Sequence, residues 1–173
     1  GHTIDAQGKA RVFNIQASDV TIKNLTIINA NYNGDGGAVY FAQSGRAINC
    51  NFTDNRVTGD KNWGGAVYFV NTGNVSNCNF VNNSADHYGG AVCFLGDTGY
   101  VLNCNFTDNT ASGDGGAIYF SNSGTVENCN FTNNTAPYGS AVYFNSNGEV
   151  TNCNFTGNTA TGEGGAINMG SLE

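Results

Sequence analysis

The chain has 173 residues with 25 glycines, and its 13 acidic and 6 basic side chains give a formal net charge of −7 at pH 7. Every Lys and Arg precedes Asn62, and this acidic balance argues against nucleic acid or an anionic membrane surface as a partner. No run of about 18 apolar residues is present, so the sequence predicts no membrane insertion by this segment.

Short strands are predicted from the start of the chain. Val12-Phe13-Asn14-Ile15 and Val20-Thr21-Ile22 alternate apolar and polar side chains, as strands with one buried face do. Asn24-Leu25-Thr26-Ile27 follows and resembles an element that recurs later with Cys in place of Leu. The first forty residues therefore fit the same plan as the rest of the chain.

Two elements then recur every 24 to 28 residues. Gly-Gly-Ala is found at Gly36, Gly64, Gly89, Gly115 and Gly164, with the variant Gly139-Ser140-Ala141. Asn-Cys-Asn-Phe places its cysteine at Cys50, Cys78, Cys104, Cys129 and Cys153. A short fixed period indicates one supersecondary unit stacked on copies of itself.

The repeat predicts an all-β solenoid. Two short apolar runs per repeat are rich in Val, Ile, Phe, Tyr and Thr, and no helical spacing is present. A period near 25 residues is too short for a helix pair, and leucine is too scarce for leucine-rich repeats. We expect a single-stranded parallel β-helix of about six to seven coils, each of about 25 residues, as one domain over residues 1–173.

Strand alternation assigns side chains to faces. In Val67-Tyr68-Phe69 and its copies, Val or Ile and Phe are predicted to point into the core, and Tyr to point outward. In Asn-Cys-Asn-Phe, Cys and Phe are predicted to point inward and the second Asn outward. The first Asn is expected at a bend, where stacked amides can hydrogen-bond from coil to coil and Asn tolerates unusual backbone angles.

The cysteines are predicted to form a core ladder of free thiols. Side chains on in-register parallel strands point the same way, whereas a disulfide needs Cβ atoms turned toward each other. A linear stack without a C-x-x-C pair does not surround a metal ion. The predicted ladder comprises Cys50, Cys78, Cys104, Cys129 and Cys153. Cys93 occupies a Tyr position, so we expect it to be the exposed, reactive thiol.

Aromatic residues are the candidate ligand-binding groups, because exposed aromatic strips flanked by acids and amides are typical of sugar- or protein-binding surfaces. The alternative is that outward Tyr side chains stack on one another and stiffen the solenoid. The candidates are Trp63, Tyr88 and Tyr138 before the Gly-Gly turn, and Tyr40, Tyr68, Tyr119 and Tyr143 in the outward Tyr positions. The only Trp lies in the longest turn, from Arg56 to Trp63.

No cofactor is predicted, with weak Ca²⁺ binding as the exception considered. Asp35, Asp114 and Glu163 each precede a Gly-Gly pair and are the candidate metal ligands. Hard cations need several oxygens around one point, and one acid per coil supplies few. Solvation of a polar exterior is the alternative role for these acids.

The sequence predicts no enzyme. Some right-handed β-helices are polysaccharide lyases or hydrolases, and such chemistry needs clustered carboxylates with a positioned base or metal. Acids recur here at turns rather than converging, and no Asp-Asp pair is present. We expect His87 to be a solvated turn residue.

Sequons for N-glycosylation are dense, and four of them lie on the predicted outer face. These candidate sites are Asn51, Asn105, Asn130 and Asn154. Because an Asn-rich repeat generates such triplets by composition, modification at these positions is a hypothesis.

The paired signatures resemble those of the polymorphic outer-membrane protein repeat family. They read Gly115-Gly116-Ala117-Ile118 and Phe106-Thr107-Asp108-Asn109 here. The fuller wording, N-C-N-F-T-x-N-T-A with G-G-A-[IV]-Y-F, resembles the adhesin-like surface proteins of methanogenic archaea. The resemblance implies a right-handed β-helix and an extracellular, cell-surface protein that attaches to a glycan or protein of another cell. It implies no catalytic residues.

We expect the chain to be a fragment of a longer surface protein, with Leu172-Glu173 left by cloning. Uncapped solenoid ends would also permit end-to-end self-association. Besides attachment, the second hypothesis is a structural stalk that holds another domain away from the cell, and a polysaccharide lyase or hydrolase is the third.

Overall fold

A computed structural model describes residues 1–162 and 164–170. These residues form a right-handed parallel β-solenoid of about seven turns, with strands and turns but no helix among them. The predicted fold class is confirmed. Glu163 and residues 172–173, which carried predictions, lie outside the described residues.

Four parallel sheets run the length of the solenoid, and we name each after two of its residue types. The 26 strands are numbered in chain order. The Asn-Phe sheet contains β1 (His2–Asp5), β4 (Leu25–Ile28), β8 (Asn51–Thr53), β12 (Asn79–Val81), β16 (Asn105–Thr107), β20 (Asn130–Thr132) and β24 (Asn154–Thr156). The Tyr-Phe sheet contains β2 (Phe13–Ile15), β6 (Val39–Phe41), β10 (Val67–Phe69), β14 (Val92–Phe94), β18 (Ile118–Phe120), β22 (Val142–Phe144) and β26 (Ile167–Met169).

The other two sheets have shorter or more polar strands. The Gly-Val sheet contains β3 (Val20–Lys23), β7 (Gly45–Ile48), β11 (Gly73–Ser76), β15 (Thr98–Leu102), β19 (Ser123–Glu127) and β23 (Gly148–Thr151). The Thr-Ala sheet contains β5 (Asn31–Tyr32), β9 (Arg56–Val57), β13 (Ser84–Ala85), β17 (Thr110–Ala111), β21 (Thr135–Ala136) and β25 (Thr159–Ala160). A complete coil therefore has four strands, where the apolar runs predicted two.

Equivalent residues of successive coils pair in register. Phe52 pairs with Phe80, and Phe80 pairs with Phe106. Thr26 pairs with Asn51, which confirms that Asn24-Leu25-Thr26-Ile27 occupies the Asn-Cys-Asn-Phe position. The sequence period is thus converted directly into columns of like side chains along the axis.

Two stacks of phenylalanine rings fill the core. Neighbouring rings are nearly parallel, with centroids 4.7–5.0 Å apart in each stack. One stack comes from the Tyr-Phe sheet and consists of Phe41, Phe69, Phe94, Phe120 and Phe144. The other comes from the Asn-Phe sheet and consists of Phe52, Phe80, Phe106, Phe131 and Phe155. The predicted inward direction of these residues is confirmed.

The cysteine column lies beside these stacks, and its thiols are free, as predicted. The backbone N–H of Cys78 donates to the Cys104 sulfur at 3.4 Å, while the Cys104 thiol donates to the Leu102 carbonyl at 3.1 Å. The same pattern repeats at the other rungs. Burial raises the pKa of the Cys104 thiol, so this rung is a neutral S–H group.

A third inward column consists of the asparagines that end each F-x-x-N motif: Asn55, Asn83, Asn109, Asn134 and Asn158. The amide of Asn109 donates to the Asn134 side-chain oxygen and to the Phe80 carbonyl. Its own oxygen accepts from both the backbone and the side chain of Asn83. Each buried amide is therefore fully hydrogen-bonded within the column.

Two corners of the coil are closed by single residues with positive φ: one at the first Asn of Asn-Cys-Asn-Phe, and one at the residue before each F-x-x-N asparagine, such as Asp54. The first Asn of Asn-Cys-Asn-Phe forms one of these corners, with φ of 53° at Asn49 and Asn77. The predicted bend and unusual backbone are confirmed, but Asn49 donates to Asn24 only at 3.5 Å. The strong coil-to-coil ladder lies instead at the second Asn, where Asn79 donates to Asn51 at 2.8 Å.

The Gly-Gly pair forms the turn into the Tyr-Phe sheet. Gly64 has φ +69°, and a Cβ at Gly65 would collide with the carbonyl oxygen of Gly90 in the next coil. Both positions therefore require glycine, the first for its backbone angle and the second for the close approach of adjacent coils.

Candidate functional site

The outer face of the Tyr-Phe sheet carries a second apolar cluster, separate from the core. We call it the outer aromatic cluster: Tyr68, Cys93 and Tyr119 are buried in it, and Tyr40, Trp63, Val70, Tyr88, Leu95 and Tyr143 pack against them. The Tyr side chains do leave the core, as predicted. Their exposure was wrongly predicted for Tyr68 and Tyr119, which are only 3% and 6% exposed, while Tyr40 and Tyr143 are half-buried.

Stacking accounts for this burial. Tyr40 stacks on Tyr68, and Tyr119 stacks on Tyr143, each with centroids 5.4 Å apart. Desolvation raises the pKa of the Tyr119 phenol above its usual value. The predicted alternative role, stiffening of the solenoid, fits these four positions better than direct ligand contact.

Cys93 corrects a second prediction, because this expected exposed thiol is completely buried. It replaces a Tyr between Tyr68 and Tyr119 and leaves a gap in the stack. The indole of Trp63 lies over this gap, with its centroid 6.2 Å from Tyr68 and 6.3 Å from Tyr119. Burial raises the pKa of the Cys93 thiol, so it is not a reactive thiolate.

Tyr88 fills the remainder of the gap. Its ring stacks on Tyr119 at 4.5 Å and lies 5.4 Å from Trp63. The backbone N–H of Trp63 donates to the Asp35 carboxylate at 2.9 Å, which fixes the backbone position from which the indole extends. Trp63 Nε1 is buried without a hydrogen-bond partner in the described part of the chain. Both residues are thus held by packing, although each was predicted to be a ligand contact.

The turns between the Thr-Ala and Tyr-Phe sheets form the face that remains available. We call residues 60–63, 86–88, 112–114 and 137–138 the aromatic turn face. Tyr138 is the most exposed of its predicted aromatic candidates, at 44%. Tyr32, one coil below Trp63, is also exposed, but the Arg11 guanidinium lies 4.0 Å over its ring.

A cleft of about 430 Å³ opens on the aromatic turn face. It is lined by Gly59, Asp60, Lys61, Asp86, His87 and Ser112, which come from three successive coils. Asp86 accepts the Gly59 N–H at 2.7 Å, and the His87 ring stacks on Tyr88 at 3.7 Å. Burial, followed by the nearby Lys61 charge, lowers the pKa of His87, so its imidazole is neutral at neutral pH.

The sequence did not predict this cleft. His87 was expected to be a solvated turn residue, whereas it is half-buried and stacked. Asp60 and Asp86 are distant in sequence. They line the same cleft only because the long turn that contains Asp60 lies next to the shorter turn of the following coil, which contains Asp86. The additional residues in the turn that ends at Trp63 are the sequence feature from which a cleft at this place could have been predicted.

The candidate calcium ligands do not converge. Asp35 and Asp114 occupy one turn column, but the coils of Trp63 and Tyr88 separate them. Burial raises the pKa of both carboxyl groups. Among the residues that the structure describes, no group of three or more His, Cys, Asp or Glu side chains could hold a metal ion. Calcium binding stays a prediction.

The candidate glycosylation sites lie on the outer face of the Asn-Phe sheet, as predicted. Each amide in this exposed column donates to the preceding rung, with distances of 2.8–2.9 Å from Asn79 to Asn154. Asn51 donates to Thr26 at 3.3 Å. Rungs roughly 4.8 Å apart leave no room for glycans on adjacent positions. Modification of any of them stays a prediction.

No helix capable of crossing a membrane occurs in residues 1–162 and 164–170. Comparison with curated proteins and with solved structures returned no match. A family model described as "Right handed beta helix region" matches residues 7–171, which is nearly the whole chain and agrees with the four parallel sheets. The chain therefore belongs to the right-handed β-helix family.

Proposed function

We propose that this chain is a non-catalytic segment of an extracellular, cell-surface protein and that it attaches to glycans on partner cells. The observation that carries the proposal is the aromatic turn face, which combines exposed Tyr138, the stacked pair His87–Tyr88 and a cleft with charges of both signs. Aromatic rings beside carboxylates, hydroxyls and amines match the alternating apolar faces and hydroxyl edges of sugars.

The rest of the molecule fits this role as a support. Ladders of Phe, Asn and Cys fix the position of each coil, so turn residues are held on rigid elements. The resemblance of the repeats to adhesin-like surface proteins is in line with the same proposal. A protein of another cell is the alternative partner.

A binding screen of the purified chain against immobilised glycans and cell-wall polysaccharides tests the proposal. The informative variants are Tyr138→Ala and His87→Ala, because Trp63→Ala would also open the outer aromatic cluster. Tyr100→Ala is the matched control, since Tyr100 is 41% exposed but lies on the Gly-Val sheet. Loss of binding in the first two variants, with retention in the control, is expected.

If the folded chain binds no glycan and no cell surface, the attachment role is wrong. A structural stalk, favoured by the uninterrupted ladders, would then be the better account. Circular dichroism of every variant separates a lost contact from a lost fold.

A polysaccharide hydrolase or lyase is a second candidate, favoured by one observation. Asp60, Lys61, Asp86 and His87 share the cleft, and these residue types include potential general acids and bases. Release of reducing ends from a polysaccharide, abolished in both Asp60→Asn and Asp86→Asn, would support catalysis. Binding without such release supports attachment.

A further inference from the structure

Positions on the aromatic turn face stack along the solenoid axis. The backbone N–H of His87 donates to the Asn62 carbonyl of the coil below, and the backbone N–H of Gly113, in the coil above, donates to the His87 carbonyl. Asp114 in turn pairs with Tyr138 of the following coil. His87 and Tyr138 are therefore two coils apart, roughly 10 Å along the axis at the spacing of parallel strands.

The rings of His87 and Tyr138 are each held in place by contacts with the protein. The His87 imidazole stacks at 3.7 Å on Tyr88, whose ring lies against Gly113 of the next coil. The Tyr138 ring lies against Gly162, where a Cβ would come within 3.0 Å of its Cε1 atom. Glycine at both positions gives the tyrosines room to lie close to the backbone. Two fixed platforms result, one lining the cleft and one exposed.

Polar groups lie between the two platforms. Asp114 is half-buried in the intervening coil, and Ser112 of the same coil lines the cleft. Asp60 and Asp86 add carboxylates on the side toward His87, against the single cation of Lys61. This part of the face is net negative, because the His87 imidazole is neutral at neutral pH. It therefore repels polyuronides and favours neutral or amino sugars.

We infer that the glycan bound by the aromatic turn face is an extended, uronate-free β-1,4-linked chain lying parallel to the solenoid axis. This inference rests on the proposed function and specifies its ligand. In such a chain successive sugars are turned over, so every second sugar presents the same face, at a repeat close to the height of two coils. His87 and Tyr138 contact alternate sugars, and Asp114 hydrogen-bonds the sugar between them.

Isothermal titration calorimetry with cello-oligosaccharides of two to six sugars tests this geometry, with chito- and manno-oligosaccharides run in parallel. Engagement of the second platform is expected to raise affinity about tenfold between the disaccharide and the tetrasaccharide in at least one series. His87→Ala or Tyr138→Ala should each abolish this length dependence. Tyr100→Ala should leave it unchanged.

Malto-oligosaccharides and oligogalacturonates are the matched negative probes, because the first curve away from the axis and the second carry negative charge. Equal affinity for short and long β-1,4 chains, or equally tight binding of either negative probe, would overturn the inference. In that case, binding to another glycan in the screen would still support the attachment role, so the attachment role and the geometry of its ligand are tested separately. Absence of binding to every glycan would remove both.

Discussion

The inward-facing and outward-facing columns of this solenoid obey different rules. Inward, the F-x-x-N column is Asn in five successive coils, and each buried amide is both donor and acceptor to its neighbours. Outward, the Tyr column contains Cys93, and the exposed Asn column has threonine at Thr3 and Thr26. An inner rung can be completed only by other rungs and by buried backbone groups, whereas an outer rung can be completed by solvent or by a turn residue. The buried asparagines are therefore uniform over these five coils and end below Asn55 at the backbone N–H of Ala30, whereas the outer columns vary among Tyr, Cys, Asn and Thr.

The largest expected difference in the free energy of unfolding is between alanine substitutions of two asparagines in one coil. Asn109→Ala removes an amide with partners on both sides and leaves buried donors and acceptors unpaired, so we expect a loss of about 3 kcal/mol in the free energy of unfolding. Asn105→Ala removes an exposed rung that water replaces, at about 0.5 kcal/mol. Urea denaturation of both variants measures the contrast.

Similar losses for the two variants would break the distinction between inner and outer columns. Asn83→Ala and Asn79→Ala repeat the test one coil earlier, with the same roles and contacts. Agreement between the two coils would exclude a purely local cause.

An intermediate effect on stability is expected from placing a tyrosine at the one position of the Tyr column that Cys93 occupies. Cys93→Tyr places a ring where Trp63 and Tyr88 already lie, so overpacking should cost about 2 kcal/mol. In the Trp63→Ala background the same change should cost less, because the indole has vacated the gap. A double-mutant cycle by urea denaturation measures this coupling.

Additive effects would show that the indole does not occupy the gap.

Thiol labelling gives a second readout of the same contact. Trp63→Ala should accelerate alkylation of Cys93 severalfold, while Cys104 in the core stays protected.

The smallest expected effect concerns pH. Burial raises the pKa of Asp114, so the folded chain binds this proton more tightly than the unfolded chain does. Stability from this group is present below the ordinary carboxyl pKa and is lost as pH rises through the raised value. Asp114→Asn should therefore stabilise the protein at neutral pH by about 0.5 kcal/mol, with no gain in acid.

Thermal melts at acidic and neutral pH measure this difference. The exposed Asp97→Asn is the control and should leave the melting temperature unchanged at both values. A gain of equal size at both pH values would contradict a charge-based cause.

The repeat contained enough information to predict the fold. A fixed period and alternation within Val67-Tyr68-Phe69 placed Phe inward and Tyr outward, and the structure agrees. The burial of Cys93 could not be read this way, because alternation gives a direction but not what covers a side chain. Its cover comes from Trp63, which leans in from the previous coil.

The candidate site was only partly predictable for the same reason. Tyr138 was identified, but the cleft beside His87 depends on how turns of different length stack. The buried F-x-x-N asparagines were visible in five coils and were interpreted only as a family signature. A buried polar residue that recurs with the period should instead predict a hydrogen-bonded column.

Variation in coil length is confined to particular corners. The same number of residues leads from Asn51 to Arg56 as from Asn79 to Ser84 or from Asn154 to Thr159, because a single left-handed residue closes that corner. The extra residues of the coil that contains Trp63 lie in the turn after β9, and register resumes at Val67. Loop grafting should therefore succeed at residues 59–61, whereas one inserted residue at the Asn49 corner would turn Cys50 and Phe52 toward solvent.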